Sequence, residues 1–174
     1  ASAIASQTSK YVEKASAYDI KILDTRKTTP GLRNLEKYAV VKGGAYNHRL
    51  AQTDMWMIKD NHKNFFGGLK TAWGFFKNLN SFYTPIMAEI HNEDEFIEAK
   101  ELKINHVMLD NFSPEQIKKI VSHKPEFMTI EISGGINFEN IETYLIEGVD
   151  AISLGALTQG VPRVDFSLKL EGFL

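Results

Sequence analysis

The sequence predicts an α/β fold whose centre is an open or irregular α/β-barrel of about six parallel strands. Short apolar runs alternate along the chain with segments of helical character. The polar residues that end the later runs recur at nearly constant spacings, which are 21, 23 and 22 residues between Glu89, Asp110, Ser133 and Gly155. Because equal repeats of strand and helix are typical of barrels, we expect a TIM-like barrel, with an open doubly wound sheet as the alternative.

The length and composition fit a single globular domain over residues 1–174. The chain has 174 residues, of which 43% are hydrophobic and 24% are charged, and domains commonly contain about 100–200 residues. The sequence contains no cysteine, which excludes thiolate nucleophiles, disulfides and the usual cysteine-based zinc sites. No apolar run approaches the roughly 18 residues of a membrane-spanning helix, and no signal peptide is recognisable. We therefore expect a soluble protein.

The apolar runs are four to six residues long and consist mostly of β-branched or bulky side chains. Runs of this kind are typical of strands that are buried on both faces of a parallel sheet. Right-handed crossovers would join such strands. We predict strands over residues 20–23, 55–58, 85–90, 106–109, 127–132 and 151–154.

Three helices are predicted from the start of the chain and from the segments after the third and fourth strands. The first 18 residues are expected to form a helix that leads into the first strand, and residues 93–102 carry apolar side chains at helical spacing. Ser113 and Pro114 mark the start of a helix over residues 115–122, because serine caps helices and proline suits their first turn.

A further helix is predicted over residues 137–146. Asn137 is a suitable cap and Gly148 a suitable stop. Between them, Ile141 and Leu145 belong to an apolar stripe at helical spacing.

The net charge of −2 conceals an uneven distribution along the chain. Residues 1–62 contain 10 Lys/Arg and 6 Asp/Glu, a balance of +4, whereas residues 63–174 have a balance of −6. A basic first third indicates a local site for an anion rather than a nucleic-acid surface. An accidental excess of solvated charges is an equally good explanation at this point.

Ligands of parallel β/α folds bind at the carboxyl ends of the strands, so the residues that follow each strand are candidates for a site. Arg26 and Lys27 follow the first strand and Lys59 follows the second. Together they predict a pocket for a polyanionic small molecule, since arginine can hold a carboxylate with two hydrogen bonds. His48 and Arg49 precede a strand, and a strictly regular barrel would put them on the opposite face, so their role stays open.

Two carboxylates, Glu89 and Asp110, lie at the ends of the third and fourth strands. They are suited to hold Mg²⁺ or to accept hydrogen bonds from sugar hydroxyls. Structural carboxylates that accept hydrogen bonds from loop amides are the alternative.

Glycine-rich corners follow the fifth and sixth strands. Glycine allows backbone amides to approach an anion closely, and barrels often bind phosphate at their last strands. The candidate phosphate-binding residues are Ser133, Gly134, Gly135, Gly155 and Ala156.

Several motifs, in this order, resemble those of quinolinate phosphoribosyltransferases, a family also called nicotinate-nucleotide pyrophosphorylase (carboxylating). The basic motifs are residues 24–33 (DTRKTTPGLR), 47–49 (NHR) and 58–62 (IKDNH). The later motifs are residues 108–112 (MLDNF), 133–136 (SGGI), 155–158 (GALT) and 165–168 (DFSL). The resemblance covers nearly the whole chain. It implies an enzyme, a pentosyltransferase of NAD biosynthesis.

The resemblance implies that four residues bind the two carboxylates of quinolinate, namely Arg26, His48, Arg49 and Lys59. It also places Lys27 against the substrates, so that Lys27 and Lys59 are expected to be catalytic. The implied reaction joins quinolinate to phosphoribosyl pyrophosphate and gives nicotinate mononucleotide, pyrophosphate and CO2.

For the second substrate, the resemblance implies that Glu89 and Asp110 are catalytic and engage the ribose and the Mg²⁺ of phosphoribosyl pyrophosphate, directly, through water or through the substrate. Its phosphates would lie against the glycine-rich corners. The resemblance further implies a cytoplasmic homodimer or higher homo-oligomer that binds neither nucleic acid nor membrane.

The family has an N-terminal α/β domain besides its barrel, and we expect that this chain is the barrel alone. In the family, the N-terminal domain supplies a further arginine to the site of the neighbouring subunit, so the activity of the isolated chain stays open. Two alternatives are a paralogous phosphoribosyltransferase with another heteroaromatic acceptor and a non-catalytic ligand-binding fragment.

Overall fold

Six short parallel strands form one sheet in this computed structural model, which describes residues 1–172. The order of the strands across the sheet is β1-β6-β5-β4-β3-β2. The strands are β1 (Lys21–Leu23), β2 (Trp56–Ile58), β3 (Ile86–Ile90), β4 (His106–Asp110), β5 (Thr129–Ser133) and β6 (Ala151–Ser153).

This order confirms the predicted open barrel. From β2 to β6 each strand pairs with the next one along the chain, and β1 returns to pair with β6. Within the described residues, β1 and β2 form the two edges of the sheet and do not pair with each other. A doubly wound sheet would reverse its strand order near the middle, which this sheet does not do.

Seven α-helices and one short 3₁₀-helix accompany the sheet within the described residues. The α-helices are α1 (Ser2–Ala15), α2 (Arg33–Lys42), α3 (Asp60–Phe66), α4 (Leu69–Leu79), α5 (Glu93–Glu101), α6 (Pro114–Val121) and α7 (Ile141–Tyr144), and the 3₁₀-helix is Gly155–Leu157. None of these helices combines the length and the apolar character that crossing a membrane requires.

Hydrogen bonds cap two of the predicted helices, at Ser113, which was predicted as a cap, and at Asn92, which was not. Ser113 caps α6, where its hydroxyl accepts a hydrogen bond from the backbone N–H of Gln116 and the Gln116 side chain accepts one from the N–H of Ser113. Asn92 caps α5 in the same way, by accepting a hydrogen bond from the N–H of Glu95. Both helices therefore begin close to their predicted positions.

The helix predicted over residues 137–146 is wrong for more than half of its length, because α7 contains only four residues. The Asn137 side chain accepts hydrogen bonds from the backbone N–H groups of Glu139 and Asn140, and this holds residues 137–140 in a turn. Ile141 and Leu145 are nevertheless buried. The apolar stripe thus predicted burial correctly but not the helical backbone.

The sequence analysis missed helix α2. Its buried face contains Glu36 and Lys37 beside Ala39 and Val40. Two charged residues interrupt the apolar stripe, so hydrophobic periodicity does not reveal this helix. Helices α3 and α4 were also missed, since no helix was predicted between β2 and β3.

The two faces of the sheet differ in chemistry because side chains alternate along each strand. The outer face packs against the helices with residues such as Ile58, Leu109 and Ile152, which belong to the main apolar core. The inner face instead carries methionine and carboxylate side chains, among them Met108 and Glu131. The lumen of the barrel is therefore polar enough to support a site.

Candidate functional site

Two adjoining cavities lie at the carboxyl ends of the strands. The first has a volume of about 310 Å³ and the second about 360 Å³. They share Thr25, Lys27, Asp110, Ser133 and Ser153. The structure brings all of the predicted site residues to these cavities: the first is lined by Arg26, Lys27, His48, Arg49, Lys59, Glu89, Asp110 and Ser133, and the second also by Gly134, Gly135, Gly155 and Ala156.

The loop after β1 is held in place by hydrogen bonds to two other elements. The Arg33 guanidinium in α2 donates to the carbonyl of Arg26 at 3.2 Å, and the hydroxyl of Thr158 donates to the carbonyl of Lys27 at 2.7 Å. The Nε of Arg26 is buried and has no protein acceptor within residues 1–172. Because a buried N–H group needs an acceptor and Arg26 lines the cavity, this side chain is poised to bind an anion there.

His48 and Arg49 reach the same cavity because the segment before them behaves as an additional strand. Tyr46 forms a parallel bridge with Leu23, and the N–H of Tyr46 donates to the carbonyl of Ile22 at 2.9 Å. The segment therefore runs alongside β1 in the same direction, and its carboxyl end meets the same rim. This arrangement explains why His48 and Arg49 lie at the rim, although a strictly regular barrel would put them on the opposite face.

A buried ion pair holds this segment in place. The Lys37 ammonium lies 2.5 Å from Oδ1 of Asp24 and also donates to the carbonyl of His48 at 3.0 Å. The same Asp24 oxygen accepts a hydrogen bond from the N–H of His48 at 2.8 Å. Burial raises the pKa of the Asp24 carboxyl, and the Lys37 ammonium opposes that rise.

Both ring nitrogens of His48 have protein neighbours. Nδ1 accepts a hydrogen bond from the backbone N–H of Arg49 at 2.8 Å, and Nε2 lies 3.3 Å from Oε2 of Glu131. The Arg49 guanidinium donates to the carbonyl of Met55 at 2.8 Å. Burial, followed by the charge of Arg26, lowers the pKa of Arg49, while the charge of Glu131 and other carboxylates opposes this change.

The acidic side of the cavity is formed by Glu89 and Asp110, with His91 between them. Glu89 forms an ion pair with Lys59. Nε2 of His91 lies 2.7 Å from Oδ1 of Asp60 and 3.7 Å from Oε1 of Glu89, and its Nδ1 lies 3.8 Å from Oδ2 of Asp110. Burial, followed by the charge of Glu89, raises the pKa of Asp110. The two carboxylates therefore form a site that favours a positively charged ligand.

These residues fit a divalent cation that takes part of its coordination shell from a ligand. One possible ligand atom from each of Asp60, Glu89 and His91 lies within 4.8 Å of the others. Mg²⁺ prefers oxygen ligands and usually retains several waters or phosphate oxygens. The predicted pair Glu89 and Asp110 supplies such oxygens at one rim, whereas His91 suits Mg²⁺ less well.

The glycine corner after β5 has the backbone shape expected of an anion-binding loop. Gly134 and Gly135 have φ angles of +98° and +62°, and within residues 1–172 their N–H groups donate to no protein acceptor. The Asn140 side chain donates to the carbonyl of Gly135 at 3.0 Å and fixes the loop. Free amides in such a corner are suited to bind phosphate oxygens.

Several lining residues escaped the sequence analysis, which considered only residues at or beyond the strand ends. Met57, Met108 and Ser153 line the first cavity, and Glu131 lies beneath it against His48. Each stands two positions before a rim residue. Since side chains two apart point to the same face of a strand, period-two counting back from the rim would have found them.

Residues 4–169 match the family described as "Quinolinate phosphoribosyl transferase, C-terminal domain". The chain is 41% identical over 155 residues to nicotinate-nucleotide pyrophosphorylase (carboxylating) of Dictyostelium discoideum, and the match covers 87% of this chain and 51% of that protein. A probable nicotinate-nucleotide pyrophosphorylase (carboxylating) of Bacillus subtilis is 40% identical over 169 residues, with 97% of this chain and 58% of that protein covered.

Solved structures agree with the sequence matches. The crystal structure of NadC from Streptococcus pyogenes superposes with a TM-score of 0.91 at 38% identity and covers 99% of this chain and 61% of that one. The chain therefore spans a little more than half the length of these relatives.

Proposed function

Because the chain belongs to the quinolinate phosphoribosyl transferase C-terminal domain family, we propose that the protein containing it transfers the phosphoribosyl group of phosphoribosyl pyrophosphate to quinolinate. The products are nicotinate mononucleotide, pyrophosphate and CO2. One observation carries this proposal: a single rim joins a wall of cationic side chains to a pair of carboxylates and a glycine corner with free amides. These three groups match a dicarboxylate, a ribose and phosphates.

Quinolinate would bind at the cationic wall. Arg26, Arg49 and Lys59 offer three positive side chains around one cavity, and a dicarboxylate needs at least two such partners once water is excluded. Nδ1 of His48 accepts a hydrogen bond from Arg49, whereas Nε2 has no hydrogen-bond partner within residues 1–172, so its N–H is available to a carboxylate of the acceptor. We assign to His48 a place in the wall of the acceptor half-site.

Phosphoribosyl pyrophosphate would bind across the acidic rim and the glycine corner. Glu89 and Asp110 are placed to accept hydrogen bonds from ribose hydroxyls, and Lys27 lines both cavities between the two half-sites. Its phosphates would contact the corner formed by Ser133, Gly134, Gly135, Gly155 and Ala156. The free amides of Gly134 and Gly135 support this placement.

We further propose that Glu89 and Asp110 hold Mg²⁺ together with the pyrophosphate of the substrate. When it is bound, this ion stabilises the negative charge that develops on the leaving pyrophosphate. Asp60 lies close enough to Glu89 to contribute a further oxygen ligand.

The residues act mainly by orientation and by charge. The ring nitrogen of quinolinate forms a bond to C1 of the ribose while the bond from C1 to pyrophosphate breaks, and the electron pair leaves with pyrophosphate. Positive charge develops on the ribose, and Glu89 and Asp110 stabilise it. The bond between ring carbon C2 and its carboxylate then breaks, CO2 leaves, and C2 keeps the electron pair until it takes up a proton. Holding the two substrates in one cavity supplies much of the acceleration, and no covalent nucleophile is needed.

The proposal is tested with the full-length protein, supplied with phosphoribosyl pyrophosphate, Mg²⁺ and either quinolinate or nicotinate. We expect nicotinate mononucleotide and one CO2 per turnover from quinolinate and no turnover of nicotinate. Turnover of nicotinate alone would identify the paralogous phosphoribosyltransferase, and binding of quinolinate without turnover would identify a ligand-binding protein. Omission of Mg²⁺ with EDTA present tests whether turnover requires the metal.

A homo-oligomer and a cytoplasmic location complete the proposal and rest on the family resemblance. Light scattering of the full-length protein in solution would measure its oligomeric state. Fractionation of the source cells would test its location.

A further inference from the structure

Glu131 is a buried carboxylate to which neither the sequence motifs nor the proposed reaction assigns a role. It lies in the middle of β5 and is 5% exposed. Its neighbours in register on the adjoining strands are Met108 and Ala151, which offer no hydrogen-bond donor from their side chains. A carboxylate buried among such neighbours is costly unless a charged or polar partner compensates it.

The nearest such partner is His48. Nε2 of His48 lies 3.3 Å from Oε2 of Glu131, and both side chains are more than nine-tenths buried. Because Nδ1 of His48 accepts a hydrogen bond from the N–H of Arg49, the proton of the neutral ring belongs on Nε2, which faces Glu131. Within residues 1–172, neither Nε2 of His48 nor Oε1 of Glu131 has a hydrogen-bond partner, so the two side chains interact through proximity and charge.

Arg49 is the second group on which Glu131 acts. Burial and the neighbouring charge of Arg26 lower the pKa of Arg49, and among the carboxylates that oppose this change Glu131 is the strongest. The two arginines line the acceptor cavity, so their mutual repulsion acts where the acceptor would bind. A fixed negative charge beneath the cavity reduces that repulsion.

We propose that Glu131 is a positioning residue of the acceptor half-site, which from beneath the cavity orients the ring of His48 and offsets the charge of Arg49. This inference rests on the proposed function for the identity of the acceptor. Glu131 does not line either cavity at the rim. Substitution of Glu131 should therefore change the KM for quinolinate. The KM for phosphoribosyl pyrophosphate, whose proposed partners lie at the acidic rim, should change little.

Steady-state kinetics of the full-length protein test this separation. In Glu131→Gln we expect the KM for quinolinate to rise about tenfold or more and the KM for phosphoribosyl pyrophosphate to change less than about twofold. Glu131→Asp keeps the negative charge, so its KM for quinolinate should lie between those of Glu131→Gln and the unsubstituted protein. Equal changes in both KM values, or unchanged kinetics, would overturn the proposal.

Asp150→Asn is the matched control. Oδ2 of Asp150 accepts a hydrogen bond from the N–H of Ile130, next to Glu131, but its ion pair is with Lys124. This variant removes a carboxylate that contacts the same strand outside the cavities at the rim. We expect it to leave the KM for quinolinate unchanged, and a rise equal to that of Glu131→Gln would indicate a general effect on β5.

A measurement on the unsubstituted full-length protein keeps the inference independent of turnover and of the folding of any variant. The ¹⁵N chemical shifts of the His48 ring should show a proton on Nε2 and none on Nδ1. A proton on Nδ1 instead would overturn the inference whatever the activity. Absence of turnover combined with the expected tautomer would refute the proposed reaction and leave the contact between Glu131 and His48 intact.

Discussion

The ammonium of Lys37 and the carboxylate of Asp24 form an ion pair at 2.5 Å between two side chains that are 1% and 0% exposed. This pair joins helix α2 to the residue that follows β1. Both members also hydrogen-bond to the backbone of His48. One buried contact thus holds the two cationic stretches of the site, residues 26–27 and 48–49, beside each other.

Breaking this pair should destabilise the whole domain. Lys37→Met leaves the Asp24 carboxylate buried without its cation, and the loss of one partner of a buried pair costs about 3–5 kcal/mol. Urea denaturation of the full-length protein would measure the free energy of unfolding. Lys42→Met, on the exposed end of the same helix, is the control and should change it by less than about 0.5 kcal/mol. A loss below about 1 kcal/mol in Lys37→Met would contradict the role assigned to the pair.

Removing one cation from the wall should weaken the use of quinolinate. Arg49→Ala or Lys59→Ala takes away one of the charges that would hold a carboxylate, and we expect kcat/KM for quinolinate to fall about tenfold or more, equivalent to about 1.4 kcal/mol or more. Initial-rate kinetics of the full-length protein measure this change. Lys70→Ala removes an exposed lysine of α4 and should have no effect. Unchanged kinetics in both site variants would exclude the dicarboxylate pocket.

The two glycines of the β5 corner should differ in their tolerance of a side chain. A methyl group on Gly134 would collide with the side chain of Asn111 and lie 2.7 Å from its backbone nitrogen, whereas one on Gly135 would meet nothing within 4 Å. Both positions have positive φ, which costs a residue with a Cβ about 1–2 kcal/mol.

We therefore expect Gly134→Ala to abolish measurable binding of phosphoribosyl pyrophosphate and Gly135→Ala to weaken it about tenfold. Isothermal titration calorimetry with phosphoribosyl pyrophosphate and Mg²⁺ would compare the two variants. If Gly135→Ala were the more damaging of the two, the close approach of Gly134 to Asn111 would not shape the phosphate site.

Replacement of Asp110 should raise stability while it lowers activity. Burial and the charge of Glu89 raise the pKa of Asp110 in the folded protein, so the folded state holds the proton to a higher pH than the unfolded chain does. Ionisation of Asp110 therefore costs folding free energy, and this cost grows as the pH rises from the ordinary aspartate pKa of about 3.9 to the raised value. Asp110→Asn avoids the cost.

Urea denaturation at a series of pH values between 7 and 4.5 would measure this difference. We expect Asp110→Asn to be more stable than the parent protein at pH 7, with a difference that narrows as the pH falls, and to lose most of its turnover. A difference that widened toward acid pH would show that the carboxylate is stabilised, not strained, by its surroundings.

The sequence by itself predicted the class of the fold and the residues of the rim. Repeats of apolar run and helix determine parallel β/α units, because a strand and its crossover bury their apolar faces only against one another. The rim residues followed from the rule that ligands meet the carboxyl ends of such strands. Local sequence signals were sufficient where the stabilising contact joins residues close together in the chain. The start of α6 is an example, because its capping box joins Ser113 to Gln116.

Local signals failed where a distant contact decided the outcome. Helix α2 was hidden because its buried face holds Lys37, whose partner Asp24 lies 13 positions away. The helix predicted over residues 137–146 is a different case, because a local turn around Asn137 cut it short. The buried role of Glu131 depends on His48, which reaches it across the lumen.

What the sequence determined is the alternation of strands and helices and the chemistry carried at each strand end, because both depend on neighbours along the chain. What only the tertiary structure decided is the place of His48 and Arg49. Their segment runs parallel to β1 because Tyr46 bridges Leu23 at the open edge of the barrel, and hydrogen bonds between segments so far apart leave no periodic trace in the sequence.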